Sequence, residues 1–261
     1  RVAQWLARSR QAPLLFGAQG FGPDGRRPSN SAYLVQPDGE IAGDYHKVVL
    51  FPFTERRVFP ELETIWPWLH RQIIRLTLLA WRDAPDGWAP EEPEVFPAEV
   101  AGETWRIWTP ICYETSYAHL GRAARRQGAE FYVNLTSTGW LGWAPANAML
   151  GASVLRAVEG RVGLVRAANT GVSGIISPTG EITDILVGTR HGRPQLDAGA
   201  LIAPVQISHE PIPFYARFGG WIDPLSFILC IGTLVAAGAW RWRASRSGPP
   251  PARTREEKHA T

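Results

Sequence analysis

The sequence predicts an α/β domain followed by one apolar helix able to cross a bilayer, and three observations predict it. Short β-rich runs alternate with helical patterns through most of the chain. Seventeen uncharged residues, PLSFILCIGTLVAAGAW, lie between Asp223 and Arg241. The composition, 45% hydrophobic and 11% aromatic over 261 residues, can bury a sizeable core, which excludes a disordered or low-complexity chain.

In chain order, Arg1 to Arg10 reads as half of an amphipathic helix; its charges interrupt any signal-peptide pattern. The runs PLLFGAQ at 13, SAYLVQ at 31, TWRIWTPIC at 104, EFYVNLT at 130, GLVRAAN at 163, VSGIISP at 172 and EITDIL at 181 read as strands. YAHLGRAARRQGA from Tyr117 and APANAMLGASVLRAVEG from Ala144 read as helices, the first closed by Gly128. SPTGEI reads as a turn between the last two strands, and no internal repeat is apparent. From Leu62, the apolar positions Ile65, Trp66, Leu69, Ile73 and Leu76 follow helical spacing, with His70, Arg71, Gln72 and Arg75 on the other side. With Trp68 and Trp81 nearby, this is either a surface helix packed on the core or an interfacial or lid helix.

The apolar run spans roughly 26 Å as a helix, and residues 219–222 can extend it. Trp221 before it and Trp240 and Trp242 at its far end fit the aromatic belts of a bilayer. A buried core helix with a disordered tail is the alternative; the absence of a polar face and the basic, Pro-rich ending favour the span. The expected organisation is an α/β domain over 1–218, a transmembrane helix over 219–243 and a basic cytoplasmic tail over 244–261. The net charge of +3 comes from residues 241–261, where Arg241, Arg243, Arg246, Arg253, Arg255 and Lys258 outnumber Glu256 and Glu257. The rest of the chain is near neutral and carries no electrostatic footprint for nucleic acid. Two cysteines, Cys112 and Cys230, exclude a disulfide framework and a cysteine-based zinc site, so neither metal nor cofactor is expected. The chain opens at Arg1 and its one methionine is Met149, so it reads as a piece of a longer protein.

Cys112 ends an apolar strand and precedes a helix, a turn at which backbone N–H groups lower a thiol's pKa and bind an oxyanion; it also suits a small buried hydrophobe. Lys47 stands in an otherwise apolar stretch with Glu55 eight residues on, either as a catalytic cation or as half of a structural ion pair. Glu114 either orients neighbouring groups or caps the helix from Ser116. His46 and His119 are candidate bases with no acidic partner identifiable from spacing, so a papain-like Cys/His arrangement is unsupported.

Together the stretches IAGDYHKVVLFPFTE, WTPICYETS, FYVNLTSTGWLG, SVLRAVEGRVGLVRAANTGVSGIISPTGEI and FYARFGGW resemble, in this order, bacterial apolipoprotein N-acyltransferases, membrane-anchored members of the nitrilase superfamily. The resemblance runs from about Pro13 to Trp242. Its most specific parts are Tyr45, Lys47 and Glu55 in Y-x-K-x-x-L-x-P-F-x-E, the I-C-Y-E around Cys112, and R-A-A-N-T-G from Arg166. It implies a nitrilase-like αββα sandwich with a Glu-Lys-Cys triad, in which Cys112 is the nucleophile and Lys47 faces the developing oxyanion. Glu55 matches the family's second, supporting glutamate, while Tyr113 and Glu114 match residues flanking the nucleophile and Tyr45 belongs to the lysine motif. The family's catalytic base lies in a W-P-E motif before the first strand, and no residue of this chain matches it: the first glutamate is Glu40.

Two further departures imply either a divergent substrate preference or reduced activity. Where the family usually reads N-D-A-W-F-G, this chain has Ser137, Thr138, Gly139, Trp140, Leu141 and Gly142. Where the next helix usually carries a Gln-His pair, it has Asn147, Ala148, Met149 and Leu150. The function implied by the resemblance is transfer of a fatty acyl group from a membrane phospholipid, through a cysteine thioester, to the N-terminal cysteine of a diacylglyceryl-modified apolipoprotein. The implied place is the bacterial inner membrane, with the catalytic domain periplasmic and the tail cytoplasmic. The alternatives are a nitrilase-type amidohydrolase acting on small carbon–nitrogen compounds and a catalytically silent, membrane-anchored binding module.

Overall fold

The alternating apolar positions assemble into two sheets, flanked by helices, in a computed structural model that describes residues 1–52, 55–56, 64–76, 87–100, 102–137, 143–186 and 199–246. Helix α1 (Val2–Arg10) leads into strands β1 (Leu14–Phe21), β2 (Pro28–Val35) and β3 (Ile41–His46), an antiparallel sheet in that order. After α2 (Pro67–Leu76), strands β4 (Val95–Val100) and β5 (Glu103–Trp108) open the second sheet. It continues through α3 (Ala118–Arg126), β6 (Phe131–Thr136), α4 (Trp143–Gly160), β7 (Gly163–Ala168), β8 (Gly174–Ile176) and β9 (Ile182–Ile185). β5, β6 and β7 run parallel, each pair joined by a helix because parallel neighbours require a crossover; the other pairings are antiparallel.

Ala32, Leu34 and Tyr45 of the first sheet share one apolar core with Phe96, Ile107 and Trp108 of the second, and this core continues into Leu120 and Ala124 of α3 and Ala157 of α4. Helix α1 lies against β1 and β2, while α4 lies against β7 and β8, so the layers run α, β, β, α as expected. All seven strand runs read from the sequence contain a strand, and SPTGEI is a turn: Ser177 Oγ accepts from Thr179 N and Glu181 N, and Gly180 takes a φ of 89°. Lys47 reads as the end of a buried strand and does follow β3, but the runs named as strands leave out β3 and β4. Both are edge strands, where Gly43 and Asp44 in one and Pro97 in the other are tolerated because one side of the ladder makes no bonds.

The chain divides into two units, Arg1–Arg217 and Phe218–Thr261; α5 (Phe214–Phe218) meets that boundary. The second unit contains α6 (Ile222–Arg246), of which Pro224–Arg243 is long and apolar enough to cross a membrane by length and composition. None of that window is buried, and its apolar side chains, among them Phe227, Leu234 and Val235, are exposed. In the first unit, Ile65, Trp66 and Trp68 at the start of α2 are exposed as well. Leu62, Trp81, residues 138–142 and the tail from 247 lie outside the described residues.

Candidate active site

The chain continues past β5 through Thr109 and Pro110 to Ile111, which forms a parallel bridge with Leu135, and then turns sharply into a helical turn, Cys112–Ser116. Cys112 makes the turn with a φ of 57°, in the left-handed region that costs a non-glycine residue about 1–2 kcal/mol. The half-buried thiol residue lines a cavity of about 460 Å³ together with Lys47, Phe51, Glu55, Ser137 and Asn169. Thus Cys112, Lys47 and Glu55, separated by up to 65 positions in the sequence, border one space.

Lys47 follows β3 and is 1% exposed. Its backbone N–H donates to Asn30 O at 2.9 Å, and its ammonium donates to both oxygens of Glu55 at 2.8 and 2.9 Å. Glu55 also accepts from Asn30 Nδ2 at 3.0 Å and Phe51 N at 2.7 Å. Burial by itself raises this carboxyl, but the Lys47 charge and these donors outweigh it and hold Glu55 below the ordinary carboxylate range. A carboxylate so saturated with donors is a poor proton acceptor; its geometry suits a clamp on Lys47 and not a general base. Tyr113 covers the ammonium with its ring, 5.1 Å from the centroid, and donates its hydroxyl to Leu50 O at 2.8 Å. Phe51 and Tyr117 each pack edge-on against that ring.

Glu114 is fully buried and joins the two halves of the site. Its Oε1 accepts from Val48 N at 2.7 Å and Val49 N at 3.1 Å, immediately after Lys47; its Oε2 accepts from Ile111 N at 2.7 Å and Tyr45 Oη at 3.1 Å. This one carboxylate fastens the segment carrying Lys47 to the elbow carrying Cys112, and through Ile111 N it also caps the helical turn Cys112–Ser116. Burial pushes Glu114 up to about 7, against the pull of the three backbone N–H groups and Lys47, and burial likewise raises Tyr45. Because the folded pKa lies above the unfolded one, the native state retains this proton between about pH 4.5 and 7, and its contribution to stability falls as pH rises through that window. Glu114→Gln removes the titration and turns an NH₂ toward a backbone N–H, at a cost of about 1–3 kcal/mol. The melting-temperature gap between wild type and Glu114→Gln is therefore expected to be widest near pH 5 and to narrow toward pH 7.5; a gap that widens with pH would show that the four donors outweigh burial.

The two histidines stand apart from this cavity's lining. His46 Nδ1 meets Ser29 Oγ and Ser31 Oγ at 3.0 and 2.8 Å, while its Nε2 lies 3.0 Å from Asp44 Oδ2. His119 packs edge-on against Tyr117. Among the described residues, no three His, Cys, Asp or Glu side chains gather as a metal ion would need. Sequence reasoning missed Asn30 and Asn134. The available signal for Asn134 was a polar residue at an inward position of FYVNLT, where alternation demands an apolar one.

A cysteine at a strand-to-helix elbow, bordering the same cavity as a clamped lysine on an α-β-β-α sandwich, defines a class. The chain belongs to the carbon-nitrogen hydrolase family, whose profile matches residues 3–193. Within that class, it is 30% identical over 238 residues to the protein named apolipoprotein N-acyltransferase 2 of Treponema pallidum, an alignment covering 88% of this chain and 39% of the relative. It is likewise 30% identical over 235 residues to the apolipoprotein N-acyltransferase of Geobacter metallireducens, covering 89% and 40% of the two chains. The chain thus spans about two fifths of the length of these relatives. An amidase from Nesterenkonia sp. has a similar fold, with a TM-score of 0.50 at 21% identity over 70% of this chain and 60% of its own. A double mutant of the Nesterenkonia sp. AN1 amidase in complex with acrylamide gives 0.54 at 18% identity, over 86% and 71%.

Proposed function

We propose that this chain is the catalytic part of an N-acyltransferase that moves a fatty acyl group from a phospholipid through a thioester on Cys112 to the N-terminal amine of a diacylglyceryl-modified apolipoprotein. The observation carrying this reading is the convergence of Cys112, Lys47 and Glu55 on one cavity, in a chain alignable over almost nine tenths of its length with proteins named for that activity. Cys112 sulfur, as thiolate, attacks the ester carbonyl carbon of the phospholipid, and the negative charge moves to the carbonyl oxygen, where the Lys47 ammonium stabilises it. Collapse breaks the ester C–O bond; the lysophospholipid oxygen leaves and takes up a proton. The acceptor amine then attacks the thioester, the C–S bond breaks, and an amide and the free Cys112 thiol remain after the amine loses a proton. The proton acceptor for these steps is not assigned to Glu55, whose oxygens are occupied by Lys47, Asn30 and Phe51.

Both substrates are lipids, and exposed apolar elements suit a site held at a bilayer. The Pro224–Arg243 stretch exposes apolar area that is costly in water, at about 25 cal/mol per Å², and favourable in hydrocarbon. The basic residues after Trp240 would lie on the cytoplasmic side, with the Cys112 domain on the periplasmic side. The exposed Ile65, Trp66 and Trp68 suit an interfacial helix.

The test is an assay of the whole protein in phospholipid micelles with a labelled donor and a diacylglyceryl-cysteine peptide. Amide-linked label on the peptide, dependent on the donor, is expected. Ammonia release from small amides without acyl transfer would favour an amidohydrolase, and neither activity would favour a silent binding module.

A further inference from the structure

Beneath the elbow lies a polar chain that the catalytic cysteine, lysine and glutamate do not include. Asn134 of β6 and Arg166 of β7 are direct partners in the parallel register, buried to 0% and 2% exposure. A guanidinium only donates, and here Nε donates to Val172 O at 3.1 Å while Nη1 donates to Ser153 Oγ at 3.1 Å and to Asn134 Oδ1. Ser153 donates its own proton to Met149 O at 2.9 Å, so its lone pairs face Arg166. These partners fix the orientation of the Asn134 amide: the oxygen must face the guanidinium, and the nitrogen must face away. On that far side Asn134 Nδ2 donates to Pro110 O at 2.8 Å and to Cys112 O at 3.3 Å, two carbonyls that bracket the elbow.

We infer that Asn134, held by Arg166, is a positioning residue that keeps the Cys112 elbow in its left-handed conformation and so aims the nucleophile into the cavity. The inference rests on Cys112 being the nucleophile. The φ of 57° at Cys112 is unfavourable for a residue with a side chain, and two hydrogen bonds from one amide counter its relaxation. Packing alone does not explain the pair. A buried guanidinium is expensive, an apolar side chain of similar volume often serves stability as well, and Arg166 Nη2 has no hydrogen-bond partner among the described residues. Burial pulls Arg166 down to about 10.

Asn134→Asp tests the inference, because it keeps the shape and the acceptor for Arg166 but cannot donate to Pro110 O or Cys112 O. In the whole protein, single-turnover acylation by phospholipid is expected to slow about 100-fold, the scale of a small misplacement of a reacting group, with the donor KM unchanged and the melting temperature lowered by the carboxylate oxygen that faces two carbonyls. Alkylation of Cys112 by iodoacetamide, followed on its own peptide so that Cys230 does not interfere, is expected to slow as well. Arg166→Lys keeps the charge but not the three-way grip, and its acylation rate is expected to fall between the two. Acylation of Asn134→Asp within about twofold of wild type would overturn the inference. So would lower melting temperatures in both variants with the Cys112 alkylation rate left at the wild-type value, which would assign the pair to the core. Absence of acylation in wild type would contradict the thioester reading instead, while the alkylation comparison would still decide the role of Asn134.

Discussion

Cys112→Ala is expected to remove both covalent acylation and acyl transfer, by about 10⁴-fold or more, the scale on which losing a covalent nucleophile acts. Among the residues lining the cavity it carries the one thiol, and the other hydroxyl side chains there, Thr136 and Ser137, lie on the neighbouring strand and its end, not at the elbow. Cys112→Ser is expected to be nearly as damaging, because a hydroxyl at neutral pH needs stronger base assistance than a thiol and Glu55 is already occupied by donors. Lipid binding and the melting temperature should change little, since alanine leaves the sandwich core intact. A variant that still acquired a phospholipid-derived acyl group would place the nucleophile elsewhere.

Lys47→Ala is expected to slow acylation by roughly 100-fold or more, the effect of losing one group that stabilises an oxyanion, with little change in donor KM. The same substitution strands Glu55, and breaking a largely buried pair costs about 3–5 kcal/mol at full burial, less here because the Glu55 side chain is 25% exposed. The two effects separate in the double variant Lys47→Ala with Glu55→Gln, which removes the stranded charge. If Lys47 acts on the reaction, the melting temperature recovers and the acylation rate does not. Recovery of both would reduce Lys47 and Glu55 to a structural ion pair.

How much of this was legible in the sequence depended on distance along the chain. The central strands were legible because FYVNLT and GLVRAA are short β-rich runs between helical patterns, whereas β3 and β4 at the sheet edges carry glycine, aspartate and proline that erase the signal. The short-range pair Lys47 and Glu55 was visible from spacing, and the structure shows the ion pair bordering the cavity that Cys112 also lines; whether Lys47 acts on the reaction is what the double variant decides. Glu114 was harder to read, because its partners Val48 and Val49 lie 66 and 65 positions away and no local pattern shows that contact. Asn134 and Arg166 were hidden for a similar reason: only the parallel register of β6 and β7 brings them together beneath the elbow. His46 shows the converse, since its aspartate and serine partners come from neighbouring strand positions yet leave the ring outside the cavity lining.

The most direct test of the thioester is peptide mass spectrometry of the whole protein after incubation with a phospholipid of known acyl chains and no acceptor. If Cys112 is the nucleophile, the peptide containing it gains the mass of one acyl group, and neutral hydroxylamine removes that mass. An unmodified Cys112 peptide, or an acyl group found only on another residue such as Cys230, would contradict it.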